Sequence, residues 1–528
     1  MRRVVLFVSG ASLVLLLGVL LRLSALESGG PIHWDLTLGD GTPATMYLPA
    51  GPPGAGAKAP RRRRFEPPPE GARPAAVVLV HGFASDRRNM SPLARSLAMA
   101  GYGVLAVDVA GHGENRRLGG IRAGRSGKSG FYDELEAAVD FLRRSPFVDG
   151  ERVVMMGHSM GAGATLGYGT WDPTLDGLVM IAGGWRGSGP HRPPNALFLY
   201  AEGDSLRLHE IVKQQVAQLA GRDLPDGETA GDFARGTAVQ HRMVAGAGHA
   251  DVVFSDAATR AIVEWTDGIT GVSRKLPVGI DDPRLFWAGT AGALVLFVLP
   301  GLGFVVGRLA PGAPPGGIAG LVEFGVFCGA LVASLPLIAG GSPLPALSIE
   351  VADLAAPYLA VAGGATLAVL TGLGRAEGFS VFHGAGRAVF GALLGVLAWC
   401  LLLTPIGLVF HGQTLTPERT AIFVFLAALL LPLGLVLEAV FRRGSLLRGA
   451  LCSLAGRLLV IAALGSATAA GALPGVVFLM LPILGAVLLV LEVPGVFIRA
   501  AGGSVLAAAT FQAGLLAWIF AAVLPVRI

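Results

Sequence analysis

Acyl transfer by a serine needs four parts: the hydroxyl, a base to take its proton, an acid to orient the base, and N–H groups to hold the oxyanion. This chain offers a candidate for each. Ser159 sits in Gly157-His158-Ser159-Met160-Gly161, a G-x-S-x-G pattern. His249 sits in Gly246-Ala247-Gly248-His249-Ala250. Asp204 ends Tyr200-Ala201-Glu202-Gly203-Asp204, where Glu202 is a competing acid two residues earlier. With 77 glycines in 528 residues, the pentapeptide alone is a weak signal. Its neighbours decide its meaning.

The apolar run Val153-Val154-Met155-Met156 precedes the pentapeptide, and Gly161 to Leu166 can open a helix after it. Strand, sharp turn and helix are what a nucleophile elbow requires. The turn strains the serine backbone, so the residues two before and two after must be small. Gly157 and Gly161 meet that demand. Further strands are predicted at Ala75–Val80, Gly103–Asp108, Arg152–Met156, Gly177–Ile181, Ala196–Ala201 and His241–Ala245. Helices are predicted at Pro92–Ala100, Tyr132–Arg144, Met160–Tyr168, Leu206–Leu219 and Ala257–Thr270. This alternation predicts an α/β domain with a doubly wound, mostly parallel sheet. The carboxyl ends of its strands share one edge, so Ser159, Asp204 and His249 can meet there. The oxyanion donors would be the N–H of Met160, next after the serine, and that of Phe83, in His81-Gly82-Phe83 after the first of these strands.

Taken together, His81-Gly82-Phe83, Asp108-Val109-Ala110-Gly111-His112-Gly113, Gly157-His158-Ser159-Met160-Gly161, Asp204 and Gly248-His249 resemble the α/β-hydrolase superfamily. The pattern is similar to its esterase, monoacylglycerol-lipase-like and serine-aminopeptidase-like branches, over roughly residues 32–272. The resemblance implies a Ser159, Asp204, His249 triad in the family's chain order and favours Asp204 over Glu202. It implies no metal and no organic cofactor. His81 and His158 would shape their turns, and Asp108 and His112 would fix the loop after their strand. Serine rather than cysteine at the elbow argues against a true dienelactone hydrolase. Residues 182–195 are too short a connection for a helical lid. Trp185 is a candidate pocket residue, with ordinary packing as its alternative. The basic segment Glu114 to Gly130 is read as a solvated loop, with contact to an acidic substrate or headgroup as its alternative.

The composition points beyond a soluble enzyme, at 53% hydrophobic and 15% charged. Residues 1–26 begin Met1-Arg2-Arg3 and run apolar from Val4 to Leu21, which predicts an uncleaved signal anchor. Residues 27–74 hold a predicted hairpin, Ile32 to Pro49, and a Pro/Gly/Arg-rich linker that includes Arg61 to Arg64. The hydrolase domain is placed at 75–272 and an all-α polytopic transmembrane domain at 285–526. Spans are predicted near 285–307, 317–340, 355–374, 388–410, 420–441, 449–471, 476–496 and 503–525. Arg308, Arg375, Arg387, Arg442, Arg443, Arg448 and Arg499 cluster in alternate gaps, which predicts a cytoplasmic N-terminus and an extracytoplasmic hydrolase domain. Glu438 and Glu492 lie near span ends and are read as interfacial, with Arg457 as a possible partner; Glu323 is treated alike. The Leu-Val-Leu-Glu stretches ending at Glu438 and Glu492 are too simple to argue an internal repeat.

The chain carries a net charge of +5 without a basic stripe interleaved with aromatics, which argues against nucleic acid as a partner. The partners expected are the lipid bilayer and a small-molecule or lipidic ester. The function expected is a membrane-embedded serine hydrolase acting through an acyl-enzyme at a cell membrane. The rivals are a peptidase or amidase using the same triad, an acyltransferase, and a transporter or scaffold whose hydrolase-like domain is not catalytic.

Overall fold

The computed structural model describes residues 2–49, 67–117, 131–184, 189–272, 279, 282–312, 317–339, 349, 351–375, 386, 389–391, 393, 395–397, 409 and 415–526. The Arg61 to Arg64 run, Trp185, most of the basic 114–130 segment and most of the predicted 388–410 span lie outside them. The chain divides into two compact units. One is α/β and comprises Arg22–Trp287, Gly407–Gly412 and Pro525–Ile528; the other is helical and comprises Met1–Leu21, Ala288–Ile406 and Gln413–Leu524.

The α/β unit is built on eight strands: β1 (Ile32–Thr37), β2 (Pro43–Leu48), β3 (Ala75–Val80), β4 (Gly103–Val107), β5 (Asp149–His158), β6 (Gly177–Ile181), β7 (Ala196–Ala201) and β8 (Val239–Val244). They lie in the order β1-β2-β4-β3-β5-β6-β7-β8. The hairpin β1–β2 is antiparallel and joins β4 antiparallel, whereas β4 through β8 pair in parallel. Alternate residues of each central strand feed two separate cores. In β3, Ala76, Val78 and Val80 belong to one core, and Val77 and Leu79 to the other. A strand covered on both faces must be apolar throughout, which is why these segments read as continuous runs.

Helices cover both faces. Leu135, Val139 and Leu142 of α3 (Tyr132–Arg144), Leu166 of α4 (Met160–Gly169) and Val212 of α5 (Leu206–Ala220) fill one core. Leu93 and Leu97 of α2 (Ser91–Met99) and Ile262 and Trp265 of α6 (Asp256–Thr270) fill the other. The chain leaves β3 for β4 on one side, whereas β5 leads to β6 on the other. Loops after β3 and β5 therefore diverge and open a crevice at the carboxyl edge between two hydrogen-bonded strands.

In the helical unit, together with the helix-end residues that belong to the α/β unit, eight helices among the described residues are long and apolar enough to cross a membrane. They are Arg2–Glu27, Pro283–Leu309, Leu321–Ile338, Ala352–Gly372, Pro417–Phe441, Leu446–Ala469, Val476–Ala500 and Val505–Val523. Small residues let some of them touch backbone to backbone: a Cβ on Gly363 would fall 2.7 Å from Leu433 N, and one on Gly434 would fall 2.8 Å from Ala509 O. Pro300 interrupts one helix ladder, and next to it Ser9 inserts, donating to Phe297 O at 2.8 Å and accepting from Gly301 N–H at 3.0 Å.

Glu438, near the end of the helix Pro417–Phe441, is fully buried and accepts from Arg442 Nε at 2.8 Å. Glu492, its side chain 13% exposed, accepts from Arg457 Nε and Ser453 Oγ, both at 2.9 Å, and pairs with Arg442. Gln512 bonds both Arg457 and Glu438. A carboxylate inside the bundle is tolerable because each has a guanidinium partner and further hydrogen bonds.

Candidate active site

The site begins with the end of β5. Buried Val153 to Met156 hold the strand in the sheet, and pairing continues through Gly157, opposite Val80, and His158, opposite Ile181. The chain then reverses at Ser159, whose φ is 52° and ψ −112°. A non-glycine residue held there stores strain on the order of 1–3 kcal/mol. The surroundings enforce it. Ser159 N–H donates to Ile181 O at 2.8 Å. A Cβ on Gly157 would fall 2.2 Å from Gly161 O, and one on Gly161 would fall 2.5 Å from His81 O. Gly183 adds a contact that sequence reading missed: a Cβ there would fall 2.6 Å from Ser159 O.

Asp204 and His249 follow β7 and β8 at the same edge. His249 Nε2 lies 2.9 Å from Ser159 Oγ, and its Nδ1 lies 2.5 Å from Asp204 Oδ1. A carboxylate only accepts, so Nδ1 carries the proton donated to Asp204 and Nε2 is left to accept from the serine hydroxyl. The Asp204 side chain is 1% exposed, and its other oxygen accepts from Ala201 N–H at 2.8 Å. Glu202, the competing acid, is exposed and has a different partner: it accepts from Gly246 N–H at 2.8 Å and so ties down the loop that carries His249.

The proposed oxyanion donors flank this arrangement. Met160 opens α4 directly after Ser159. Phe83 lies in the turn after β3, next to Ala84 with its φ of 54°. Gly161 lies against the carbonyls of Val80 and His81, which brings the start of α4 beside that turn. His81 shapes the turn: its Nε2 accepts from Val109 N–H at 3.2 Å, so Nδ1 donates to Gly82 O at 2.8 Å. Asp108, fully buried, accepts from Arg87 N–H at 2.8 Å and Glu114 N–H at 2.9 Å and pairs with the Arg87 guanidinium. It fixes the loops after β3 and β4 to each other. His112 packs against His81 and Phe83, with ring centroids 5.1 and 6.0 Å apart.

His158 holds a role that sequence reading had only as turn-shaping. Its Nε2 lies 2.8 Å from the backbone oxygen of His249. Burial, with a smaller effect of neighbouring His249, pushes its imidazole down to about 4. Among the described residues, the connection 182–195 contains no helix.

Comparison with known proteins gives a family match and several similar structures. Residues 71–217 match the family model described as serine aminopeptidase, S33. Among solved structures, the α/β part is similar to a dienelactone hydrolase from Anabaena variabilis, at 16% identity, with 47% of this chain and 100% of that chain covered and a TM-score of 0.30. It is also similar to a putative dienelactone hydrolase from Klebsiella pneumoniae, at 15% identity, 45% and 99% coverage and a TM-score of 0.31. A third is an alpha/beta hydrolase from a Penicillium species, at 14% identity, 46% and 100% coverage and a TM-score of 0.30. The chain thus joins a domain of α/β-hydrolase-like fold, part of which matches that family model, to a helical region with eight candidate membrane-spanning helices among the described residues.

Proposed function

We propose that the protein is a membrane-embedded serine hydrolase that cleaves an ester through an acyl-enzyme. The observation that carries this reading is the continuous chain from Ser159 Oγ to His249 Nε2 at 2.9 Å and from His249 Nδ1 to Asp204 Oδ1 at 2.5 Å. In the first step His249 Nε2 takes the serine proton as Ser159 Oγ attacks the ester carbonyl carbon. The N–H groups of Met160 and Phe83 hold the oxyanion; one such donor contributes roughly 3–4 kcal/mol to the barrier reduction. The tetrahedral intermediate collapses, His249 passes its proton to the departing alkoxide oxygen, and the acyl group stays on Ser159. Water then attacks the acyl carbon, giving a proton to His249, and the second collapse frees the acid as His249 returns that proton to Ser159 Oγ. Asp204 keeps the imidazole in the working tautomer throughout.

The test is labelling with a fluorophosphonate that cannot cross a bilayer, applied to intact cells. Wild type is expected to label and Ser159→Ala to stay silent, which would support both the chemistry and an extracytoplasmic domain. Labelling only after the cells are opened would put the domain on the other side. No labelling of folded wild type in either condition would defeat the hydrolase reading. The match of residues 71–217 to a serine aminopeptidase model favours one second reading, an aminoacyl amide or peptide substrate at the same residues. Turnover of aminoacyl amides without turnover of short acyl esters would select it.

A further inference from the structure

His158 stands between two parts of the site that the sheet alone does not join. On one side is the turn after β3 that carries Phe83. A Cβ on Gly82 would fall 2.8 Å from His158 Nδ1, so the absence of a side chain at 82 is what lets the imidazole sit there. On the other side is the loop carrying His249, whose ring centroid lies 5.4 Å from that of His158. Only 6% of His158 is exposed. The carbonyl of His249 can only accept a hydrogen bond, so the contact at 2.8 Å requires a proton on His158 Nε2. A neutral imidazole then has none on Nδ1, the atom turned toward Gly82, and Nδ1 has no hydrogen-bond partner among the described residues. The depressed basicity of this buried ring agrees with one proton at neutral pH.

The loop that carries His249 needs such a hold. It begins at Gly246, with a φ of 71°, and its hydrogen bonds among the described residues are Gly203 N–H to Ala247 O at 2.9 Å, Gly246 N–H to Glu202, Gly248 N–H to Asp251 Oδ1 at 2.6 Å and Val252 N–H to Gly248 O at 3.1 Å. None of these reaches the backbone of His249 itself. Without the bond from His158, the side-chain hydrogen bonds that locate His249 are those of its ring to Asp204 and to Ser159, and the second has to break in the proposed reaction.

We propose that His158 is a positioning residue for the base: its Nε2–H holds the backbone oxygen of His249, so that the strand presenting the nucleophile also fixes the distance at which the imidazole meets it. This rests on the serine-hydrolase reading above and deepens it. His158 touches no reacting atom and transfers no proton. Its effect lies in alignment, where displacement of a catalytic group by about 1 Å costs on the order of 100-fold in rate.

The experiment measures the second-order rate of fluorophosphonate labelling and the kcat and KM for a short p-nitrophenyl ester, using the full chain in detergent. The variants are His158→Phe, which keeps a ring without a donor, and His158→Gln, which restores a side-chain N–H. Thermal unfolding of each variant reports whether it is folded. His158→Phe is expected to lose on the order of 10- to 100-fold in labelling rate and kcat with KM little changed. His158→Gln is expected to regain most of that loss, which a purely space-filling role would not allow. Wild-type rates in folded His158→Phe would overturn the inference. So would a folded His158→Gln that labels at under a tenth of the wild-type rate, and this variant decides alone if His158→Phe does not fold. Failure of wild type to label would instead strike the hydrolase reading, which Ser159→Ala reports separately.

Discussion

Two acids two residues apart, Asp204 and Glu202, separate by burial and partner. Asp204 is buried against His249 Nδ1, whereas exposed Glu202 holds Gly246 N–H. Asp204→Asn keeps the shape but offers an amide where, in the proposed mechanism, a carboxylate stabilises the imidazolium and its tautomer. Its ester turnover is expected to fall on the order of 10³- to 10⁴-fold. Glu202→Gln still presents an oxygen to Gly246 and is expected to lose far less. Equal losses in a kcat comparison would overturn this assignment. His158 makes a prediction about stability. Its folded-state basicity is pushed below that of an unfolded histidine, so the unfolded chain binds a proton more readily between about pH 6.5 and about 4. The stability tied to neutral His158 is thus fully present above about pH 6.5 and is lost as pH falls through about 4. The loss is on the order of 3 kcal/mol, as one pKa unit is worth 1.36 kcal/mol. Thermal unfolding from pH 7 to 4 is expected to show a smaller drop in His158→Gln than in wild type, and parallel curves would count against it.

Elements are where the sequence was most legible. Five- and six-residue apolar runs gave β3, β6 and β7 at their observed bounds because both faces of those strands are covered and every position must be apolar. Ends were less legible. β5 begins at Asp149 and runs through His158 because Asp149 pairs with Ala75 and the last two residues pair with Val80 and Ile181, and pairing partners cannot be read from one strand. β8 begins at Val239 rather than His241 for the same reason, since Val239 pairs with Ala196. The sharp turn at Ser159 was legible from Gly157 and Gly161, but Gly183 and Gly82 were not, because their need to be small comes from Ser159 O and His158 across the fold. These contacts predict what a methyl group does. Gly161→Ala would push against the carbonyls of Val80 and His81 and force α4 away from β3. It is expected to cost about 1–3 kcal/mol in chemical denaturation. It is also expected to lower fluorophosphonate labelling further than global unfolding explains, because Met160 and Ser159 move with α4. Unchanged stability and labelling would show that the junction of α4 and β3 is softer than these contacts imply.

At the scale of the molecule, the arginines that suggested a topology have additional work inside the helical unit. Arg443 donates to Arg375 O at 2.7 Å, and Arg375 pairs with Glu323 at 3.1 Å. Arg442, in its expected place just past the helix that ends at Phe441, sits between Glu438 and Glu492. A positive-inside count therefore reads residues that also join helices, and the impermeant-probe experiment is the independent check on sidedness. Arg442, Arg457, Glu438 and Glu492 balance in charge, and Ser453 and Gln512 complete their hydrogen bonds across four of the apolar helices. A buried pair stabilises little against an apolar replacement, but removing one partner leaves a buried charge uncompensated. Glu492→Ala strands Arg457 and half of Arg442's bonds, and is expected to cost about 3–5 kcal/mol. Adding Arg457→Met to that variant leaves Arg442 and Glu438 as a neutral pair and is expected to recover part of the loss. Thermal unfolding of the full chain in detergent, with the two singles and the double compared, measures the coupling. A double variant no more stable than Glu492→Ala alone would mean that charge balance is not what joins these helices.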